Sequence, residues 1–589
     1  MVVENLLKEK IGEYLLKKYS IPNTPVEIIK TRKEFKGNYT VVLFPILSLT
    51  KLKPNQIGED IGKYLMDNEN YIEDFNIIQG FLNLTIADFF LVDLLKRLDE
   101  NLKFDYKLKS EYHLIEFSSP NTNKPLHLGH VRNILLGDSI SRIFNEVGHN
   151  VHKTQIINDR GIHICKSMVA WLQFGKDTNP ESLSLKGDVF VGNFYVKYNE
   201  EYEKQVAEMV SNGISEAEAK KNAPIFKDAK ELLIKWESGN KEVIDLWSQM
   251  NSWVYEGFSE TYKNLKVSFD SEYFESDTYL KGKEIVLKGL KDKVFYKKDD
   301  NSVWVDLKSY GLDEKLLIRS NGTSVYITQD IGTAFLRYKD HPKMDGMIYT
   351  TGNEQDYHFK VLFKILSLLG YPWAKKLNHL SYGMVDLPSG KMKSREGLVV
   401  DADELIESMN TKAKIISESL GKINDLSVSE QSKLYEQVSL AALKYHILKV
   451  DPKKSILFDP NESIDFNGNT GPFILFNCVR TKSLLRKHGD NDYVGSFTTN
   501  VSEKEKAIIG KLNDYENIIE HAALNYSPAI IANYCYDLAK EYSQFYASHN
   551  ILNEEDEQIK LFRLNLTSQV GRVLEKALSL LGIEVPERM

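Results

Sequence analysis

The sequence predicts a multidomain protein in which an α/β domain with a parallel sheet carries a helical insertion and lies between a small α+β domain and an all-α part. Three observations predict this architecture. A strand, a turn, a helix and a second strand follow one another over residues 114–157, and such crossover units are right-handed and parallel. Residues 176–270 are rich in Lys and Glu at helical periods, as expected of an insertion with solvated helix faces. From residue 401 onward, apolar residues recur mainly at helical spacing.

The composition narrows the class of protein. The 589 residues, with 42% hydrophobic and 27% charged side chains, fit a globular protein of about three or four domains. No apolar run reaches the roughly 18 residues that cross a membrane, and the N-terminus lacks the apolar core of a signal peptide, so we expect a cytoplasmic protein. Three scattered cysteines (Cys165, Cys478 and Cys535) fit no metal-binding spacing, and we expect no protein-held metal.

Charge gives a mixed signal about nucleic acid. The net charge of −8 disfavours a dedicated nucleic-acid-binding protein with a basic stripe along the whole chain. Local basic surfaces are still possible, because residues 471–490 carry four Lys or Arg against one acidic residue. The helical end of the chain is therefore a candidate for binding an anionic partner.

The first block of the chain, residues 1–107, is predicted to be a separate α+β unit. Its expected elements are a helix over 1–20, strands over 26–29 and 39–43, a helix near 55–66 and a strand over 77–86. The α/β domain is expected over 108–400, with the insertion at about 176–270, and the helical part over 401–589.

The segment from Glu116 to His130 carries the chemistry around which the chain is organised. It leaves a strand, passes through a turn that contains two prolines, and opens a helix. A helix N-terminus exposes unpaired N–H groups and about half a positive charge, so phosphate binds there. His127 and His130 share one helix face, and Gly129 leaves room for a base or ribose against the backbone. Two ordinary surface histidines are the alternative, which this structural context disfavours.

The string His-Leu-Gly-His in this setting resembles the "HIGH" signature of class I aminoacyl-tRNA synthetases. The longer string, Glu-Phe-Ser-Ser-Pro-Asn followed by Lys-Pro and His-Leu-Gly-His, resembles the arginyl-tRNA synthetases in particular. The resemblance implies a Rossmann-like catalytic domain, an additional N-terminal tRNA-binding domain and an α-helical anticodon-binding domain. It also implies a monomeric enzyme that activates L-arginine with ATP and Mg²⁺ to arginyl-adenylate. The arginyl group then passes to the 3′-terminal adenosine of tRNA(Arg).

The resemblance extends to a second signature near residue 391. The Pro- and Gly-flanked run from Pro388 to Gly397 resembles "KMSKS", a mobile cationic loop that closes over triphosphate. It departs from that pattern because Ser394 stands where a lysine is usual, and in arginyl enzymes a lysine before the first signature, here Lys124, is thought to substitute.

The residues expected to bind ATP are His127, Gly129, His130, Lys391, Met392 and Ser394. Those expected to be catalytic are His127, His130, Lys124 and Lys391. Taken alone, the loop could be a solvated turn and Lys124 a surface lysine.

The expected amino-acid site must hold a guanidinium, which is planar and carries several donors, and so requires carboxylate acceptors. Asp330 supplies one carboxylate and Glu275 can supply another, while Tyr326 can pack on the aliphatic stem. By family match, the residues expected to bind arginine are Glu116, Ser119, Asn121, His130, Glu275, Tyr326, Asp330 and Gln355. If a helix begins near Thr328, Tyr326 and Asp330 can face one pocket. Without the resemblance, Asp330 would be taken as a helix N-cap and Tyr326 as a nearby core residue.

Five residues are expected to contact tRNA by the same resemblance. They are Phe81, Asn83, Phe473, Phe476 and Arg480. An aromatic ring can stack on an unpaired base, an amide can read its edge, and Arg can stack or pair with phosphate. Both Phe81 and Phe473 could equally be core residues.

Two rival functions remain at the level of sequence. One is another class I synthetase or a simple HxGH nucleotidyltransferase, and the other is a non-catalytic tRNA-binding relative. The second signature and the helical tail disfavour the simple nucleotidyltransferase, and retention of His127, His130 and Lys391 disfavours the non-catalytic relative.

Overall fold

A computed structural model of the protein describes residues 2–32, 34–96, 98, 102, 104, 106, 108–386, 388, 400–419, 425–489 and 501–589. The predicted fold class is confirmed: a parallel α/β domain, an antiparallel α+β part before it and a helical part after it. None of the helices in these ranges combines the length and the apolar composition that crossing a membrane requires.

The N-terminal part is a four-stranded antiparallel sheet with strand order β1-β2-β4-β3, on which α1 and α3 pack. Its elements are α1 (Val2–Tyr19), β1 (Glu27–Lys30), β2 (Tyr39–Val42), α2 (Phe44–Thr50), α3 (Pro54–Asn68), β3 (Ile72–Ile78), β4 (Phe81–Ile86) and α4 (Asp88–Lys96). The prediction of a single strand over 77–86 is wrong, because a hairpin turn interrupts it. Gln79 and Gly80 both have positive φ, 50° and 84°, as two-residue hairpin turns require.

The central part is a five-stranded parallel sheet with strand order β12-β11-β5-β6-β7. Its first half contains β5 (Tyr112–Glu116), α5 (Leu128–Glu146), β6 (Asn150–Ile157), α6 (Ile162–Phe174), α7 (Gly187–Ser211), α8 (Glu216–Asn222), α9 (Pro224–Glu237) and α10 (Lys241–Asn264). The helices α7 to α10 separate β6 from β7 along the chain, as expected of the insertion.

The second half of the central part returns to the same sheet. It contains β7 (Ser271–Phe274), α11 (Glu275–Lys291), β8 (Tyr296–Lys297), β9 (Val303–Val305), β10 (Lys315–Ile318), α12 (Tyr326–Asp340), β11 (Gly346–Gly352), α13 (Asp356–Leu368), β12 (Leu377–Tyr382) and β13 (Val385–Asp386). Strands β8 to β10 form a small antiparallel sheet of their own. Helix α12 begins at Tyr326, two residues before the predicted start.

Over residues 402–419, 425–489 and 501–589, the C-terminal part is helical apart from one short strand. It contains α14 (Ala402–Ser419), α15 (Val428–Leu448), β14 (Ile456–Leu457), α16 (Pro460–Ser463), α17 (Gly471–His488), α18 (Glu503–Leu524), α19 (Pro528–Ser548) and α20 (Glu557–Leu580). Thr470 caps α17 by accepting a hydrogen bond from the Phe473 N–H at 3.3 Å, and Pro472 lies in the first turn of this helix. Strand β14 pairs in parallel with β13, which joins this part to the end of the central part.

Helix α5 belongs to both the sheet domain and the helical bundle. It packs against β5, β6 and β11 on one side and against α14, α15, α18, α19 and α20 on the others. It is therefore buried almost all round, including polar residues such as Arg132, Asp138 and Ser139. At Gly137 a Cβ would lie 2.1 Å from the Phe117 ring, so only glycine allows this helix to lie so close to the strand end.

Candidate active site

The two histidines of the first signature lie together at the N-terminus of α5. His127 is the N-cap residue, its N–H donates to His130 Nδ1 at 3.1 Å, and the Gly129 N–H donates to His127 Nδ1 at 3.2 Å. The ring centroids are 3.8 Å apart. Because Nδ1 of each ring accepts a backbone hydrogen bond, the proton of each neutral imidazole is on Nε2. Both rings therefore present an N–H donor away from the helix backbone.

The histidines are held in the neutral form. Burial lowers the pKa of His127 to about 3, and the charge of the nearby Lys124 acts in the same direction. Burial also lowers the pKa of His130 well below its usual value, helped by His127 and Lys124. At neutral pH the pair donates hydrogen bonds without carrying charge.

Lys124 lies close enough to both histidines to influence their pKa values, and its own pKa is lowered by burial. The insertion supports the turn that carries it. A Cβ added to Gly192 of α7 would lie 2.8 Å from the Pro125 Cδ, so this helix packs directly on the Lys124-Pro125 turn. The structure thus brings three of the four expected catalytic residues together.

The fourth expected catalytic residue, Lys391, lies outside the described residues, as do Met392 and Ser394. The chain on both sides of them is anchored to α5. On the C-terminal side, Leu128 N–H donates to Val400 O at 3.2 Å, Ala402 N–H donates to Leu126 O at 2.9 Å, and His127 and Asp401 form an isolated antiparallel bridge.

On the N-terminal side the anchor is Arg132, whose side chain is fully buried. Its guanidinium donates to the carbonyl oxygens of Gly383, Met384, Pro452 and Lys454 at 2.6, 3.1, 3.1 and 2.7 Å. Residues 383–384 lead into β13, and residues 452–454 lead into β14. Both flanks of the second signature are therefore held by residues 126–132, which comprise the end of the turn before α5 and the start of that helix.

The expected arginine-binding carboxylates lie on two helices in very close contact. A Cβ at Gly282 of α11 would lie 1.8 Å from the carbonyl oxygen of Thr328 on α12, and a Cβ at Gly332 would lie 2.5 Å from Gly282 N. Glu275 is the first residue of α11, and Asp330 follows the first turn of α12. The close crossing brings these two carboxylates into electrostatic contact.

Glu275 is 8% exposed. Burial raises its pKa to about 7; the Arg160 guanidinium opposes this, and the carboxylates of Asp159 and Asp330 add to it. Asp330 is half-buried and accepts a hydrogen bond at 2.6 Å from His358 if that ring is protonated on Nε2. Within the described part of the chain, neither Glu275 nor Asp330 forms an ion pair with Lys or Arg. The pair is an acidic site on which the Arg160 guanidinium acts electrostatically without forming an ion pair.

Of the remaining expected arginine-binding residues, Ser119 and Asn121 follow the carboxyl end of β5, and Gln355 follows that of β11. Asn121 and Gln355 are exposed, and Asn121 forms a bridge with Asn158 beyond the end of β6. Tyr326 is 71% exposed, so in this structure it does not pack over the carboxylate pair. Ser119 is half-buried and its hydroxyl donates to Glu116 Oε1 at 3.4 Å.

Glu116 already has a guanidinium partner inside the protein. Its buried carboxylate pairs with Arg337 of α12, whose side chain is completely buried. Attraction to Glu116 raises the pKa of Arg337 against the effect of burial. The pair joins the strand that leads to the histidines to the helix that carries Asp330, and a role for Glu116 toward a substrate stays a prediction.

Sequence reasoning missed Asp159 and Arg160, which follow β6. Asp159 is buried, and its carboxylate binds the start of α11, beside Glu275. Arg160 forms an ion pair with Glu237 at 3.1 Å and stacks on Tyr279 at 3.8 Å. A polar run, Asn-Asp-Arg-Gly, directly after a parallel strand was the available signal, because ligands of open α/β sheets bind at this edge.

One expected tRNA contact in the N-terminal part needs correction. Asn83 is buried in β4; its amide oxygen accepts from Thr40 at 2.6 Å and its amide nitrogen donates to Asn76 at 2.9 Å. A buried amide with both ends engaged cannot read a base edge in this conformation. Phe81 is half-buried against Phe44 at a centroid distance of 5.5 Å, and Phe44, which the sequence did not single out, is 52% exposed.

In the helical part, α17 and α19 together present aromatic and cationic groups. The Arg480 guanidinium lies 4.7 Å from both the Phe476 and the Tyr546 ring centroids, and Tyr546 is exposed. Phe473, by contrast, is half-buried against Tyr536 at 5.7 Å. Arg480 and Phe476 thus lie on one surface with Tyr546, a residue that the sequence did not single out.

A potential metal cluster lies at the opposite, amino edge of the sheet. Glu111, His113 and His149 have possible ligand atoms within 4.8 Å of one another. These groups already bind each other: His113 Nε2 lies 3.1 Å from Glu111 Oε2, and the Glu111 N–H donates to His149 Nδ1 at 3.1 Å. The expectation of no protein-held metal remains a prediction.

Comparison with known proteins matches nearly the whole chain. The family model "tRNA synthetases class I (R), catalytic domain" matches residues 95–459, and the model "DALR anticodon binding domain" matches residues 474–589. A relative from Flavobacterium psychrophilum named arginine–tRNA ligase is 51% identical to this chain. The match covers 100% of this chain and 100% of the relative. One of the same name in Bacteroides thetaiotaomicron is 50% identical over 97% of this chain and 96% of the relative.

Solved structures agree with these matches. The Thermus thermophilus arginyl-tRNA synthetase superimposes with a TM-score of 0.80 at 25% identity, covering 99% of this chain and 100% of that one. The Plasmodium falciparum arginyl-tRNA synthetase superimposes with a TM-score of 0.76 at 20% identity, covering 100% and 99%, and supports the fold alone.

Proposed function

The chain belongs to the class I arginyl-tRNA synthetases and has arginine–tRNA ligase activity, and from this premise we propose which of its residues carry out the reaction. The activity is the aminoacylation of tRNA(Arg) with arginine at the expense of ATP. The two rival functions, another class I enzyme and a non-catalytic tRNA-binding relative, are thereby set aside.

In the first step, the carboxylate of arginine attacks the α-phosphorus of ATP, and pyrophosphate leaves as arginyl-adenylate forms. We assign the Nε2–H groups of His127 and His130 as donors to the phosphate oxygens. Preorganised neutral donors stabilise charge that develops in the transition state without needing to reorient. Lys124 and Lys391 add positive charge, and Mg²⁺ enters with ATP as part of the substrate. Met392 and Ser394 complete the assigned ATP site with Gly129.

The amino-acid site is assigned to Glu275 and Asp330, and the carboxylate pair is the observation that carries this assignment. Burial raises the pKa of Glu275 to about 7 and the neighbouring Asp330 carboxylate adds to this, so a bound cation would favour the ionised form of Glu275. A guanidinium has five N–H donors in one plane and can bond to both at once. We place Tyr326 over the aliphatic stem after it turns inward, and Asn121, Gln355 and Ser119 around the α-amino group.

In the second step, the 2′-hydroxyl of the terminal adenosine takes the arginyl group from the adenylate. No general base is assigned, so positioning and electrostatics supply most of the acceleration. We further propose that arginine-dependent ATP–pyrophosphate exchange remains weak until cognate tRNA is bound. Anchoring of α5 to both the active-site turn and the helical bundle supports such a dependence.

Two surfaces are assigned to tRNA. Arg480, Phe476 and Tyr546 on α17 and α19 would stack on anticodon bases, within the helical domain of residues 401–589. Phe44 and Phe81 would contact tRNA from the N-terminal domain of residues 1–107. The enzyme is placed in the cytoplasm as a monomer, where tRNA, ATP and arginine meet during protein synthesis.

The test is aminoacylation of total tRNA with each of the twenty amino acids, using the wild type, Glu275→Gln and Asp330→Asn. We expect charging with arginine alone, and a steep rise of the arginine KM in both variants with little change in the ATP KM. If Asp330→Asn lowers only the stability, Asp330 is a structural residue and the assigned pocket is wrong.

A further inference from the structure

Asp159 occupies a buried junction between the sheet, the insertion and α11. Only 1% of the residue is exposed. Its Oδ1 accepts from the Ser276 N–H at 2.9 Å, and its Oδ2 accepts from the Ser276 hydroxyl at 2.7 Å and from the Tyr255 hydroxyl at 3.2 Å. Three donors from two helices therefore converge on one carboxylate.

The backbone of the same residue binds the insertion. The carbonyl oxygen of Asp159 accepts from Trp247 Nε1 at 2.6 Å and from Asn251 Nδ2 at 3.3 Å. Trp247, Asn251 and Tyr255 follow one another at intervals of four along α10, so one face of this insertion helix is attached to Asp159.

Asp159 takes the place of a missing N-cap on α11. The N-cap position is held by Phe274, which has no side-chain acceptor. The first helical N–H groups need an acceptor, and a carboxylate is favourable there because of the helix dipole. Asp159 binds the N–H of Ser276, the residue directly after Glu275. The position of the Glu275 backbone is thus set by a side chain from another part of the chain.

Arg160, the residue after Asp159, places a positive charge near Glu275. It is held by Glu237 of α9 at 3.1 Å and by the faces of Tyr279 and Trp236 at 3.8 and 5.3 Å. Its charge favours the ionised form of Glu275, whereas the charge of Asp159 opposes it. Glu275 is consequently placed and charged by neighbours that also bind α9 and α10.

We propose that Asp159 is a positioning residue for arginine recognition, through which insertion helix α10 holds Glu275 in the guanidinium site. Asp159 does not touch the substrate in this proposal. It rests on the proposed function, because it takes Glu275 to be a ligand of the guanidinium. It also gives the insertion a role in substrate recognition.

The central test is Asp159→Asn, which keeps the shape but replaces one acceptor oxygen by a donor. We expect the arginine KM to rise about tenfold, corresponding to about 1.4 kcal/mol, while the KM for ATP stays within about twofold. The acid limb of the pH profile of kcat/KM for arginine should also move to lower pH, because a negative charge next to Glu275 is removed. An unchanged arginine KM, or equal rises for arginine and ATP, would overturn the proposal.

Two further variants keep the test decisive if Asp159→Asn does not fold. Ser276→Ala removes one donor to the Asp159 carboxylate, and Trp247→Phe removes one of the three donors from α10. Both should raise the arginine KM selectively. Tyr198→Phe is the matched control in the insertion, because its buried hydroxyl has no hydrogen-bond partner among the described residues. It should leave both KM values unchanged; a rise equal to that of Trp247→Phe would mean that any disturbance of the insertion has the same effect.

Glu275→Gln in the same assay distinguishes failure of the Asp159 positioning role from failure of the proposed guanidinium pocket. If it raises the arginine KM and Asp159→Asn does not, the positioning role alone fails. If Glu275→Gln leaves the arginine KM unchanged, the proposed pocket itself fails.

Discussion

The carboxylate of Glu116 and the guanidinium of Arg337 form an ion pair inside the protein, with 5% and 0% of the two residues exposed. Glu116 ends β5 just before the turn that leads to the histidine pair, and Arg337 lies on the helix that carries Asp330. The pair therefore ties the expected phosphate site to the expected guanidinium site. Its partners are far apart in sequence, and its burial makes it expensive to break.

Arg337→Ala is expected to lower the free energy of unfolding by roughly 3–5 kcal/mol, because it leaves a buried carboxylate unpaired. Urea titration followed by loss of aminoacylation activity measures the effect. The matched control is Lys220→Ala, which removes an exposed pair with Glu216 on α8 and should cost no more than about 0.5 kcal/mol. Equal effects of the two changes would contradict the structural role of the buried pair.

Arginine binding should depend on pH through Glu275. With a pKa raised to about 7, its carboxyl group is increasingly protonated below that pH, so the arginine KM should rise as pH falls from 8 to 6. The raised pKa also means that the free enzyme loses stability as pH rises through 7, because ionising the buried carboxyl group carries a desolvation penalty. Arginine should therefore raise the melting temperature more at pH 8 than at pH 6. Glu275→Gln should abolish both dependences; their persistence would assign them to another group.

The role of His130 depends on the atom that donates. His130→Ala should slow tRNA-dependent ATP–pyrophosphate exchange by roughly 10²-fold or more, as loss of a preorganised donor does. His130→Gln can place an amide N–H near the position of Nε2 and should retain more activity than His130→Asn, whose amide reaches only the position of Nδ1. Because burial lowers the pKa of both histidines well below neutrality, neither should titrate between pH 6 and 8. Near-normal exchange in His130→Ala would remove this residue from the phosphate site.

Tyr546→Ala should weaken tRNA binding while leaving the KM for arginine and ATP unchanged. A base stacked on an aromatic ring contributes about 1–3 kcal/mol, so the Kd for tRNA should rise by at least about fivefold. Filter binding with tRNA(Arg) measures this. Asn83→Ala is the contrasting variant, because removal of this buried amide should lower the stability of the protein and leave the Kd for tRNA unchanged. A tRNA Kd that changes only in Asn83→Ala would reverse the assignment of the two residues.

Prediction from sequence succeeded where the information is local. Helix α1 (Val2–Tyr19) matches the helix expected over 1–20, and the insertion is helical, because apolar periods lie within a few residues of the structure they set. It failed at Gln79-Gly80, where an apolar run on both sides of the turn read as one strand. The pattern of apolar residues alone does not distinguish one long strand from two strands joined by a two-residue turn.

The sequence by itself determined the fold class and the histidine pair, because a strand, a turn and a helix N-terminus within about fifteen residues already place both imidazoles on one helix face. Only the tertiary structure decided which partner each buried charged side chain has. Arg337 lies 221 residues from Glu116, and Ser276 lies 117 residues from Asp159. Periodicity indicates which face of an element is buried but not which distant side chain it meets. The proximity of Glu275 to Asp330, and the support from Asp159, are therefore visible only in the folded chain.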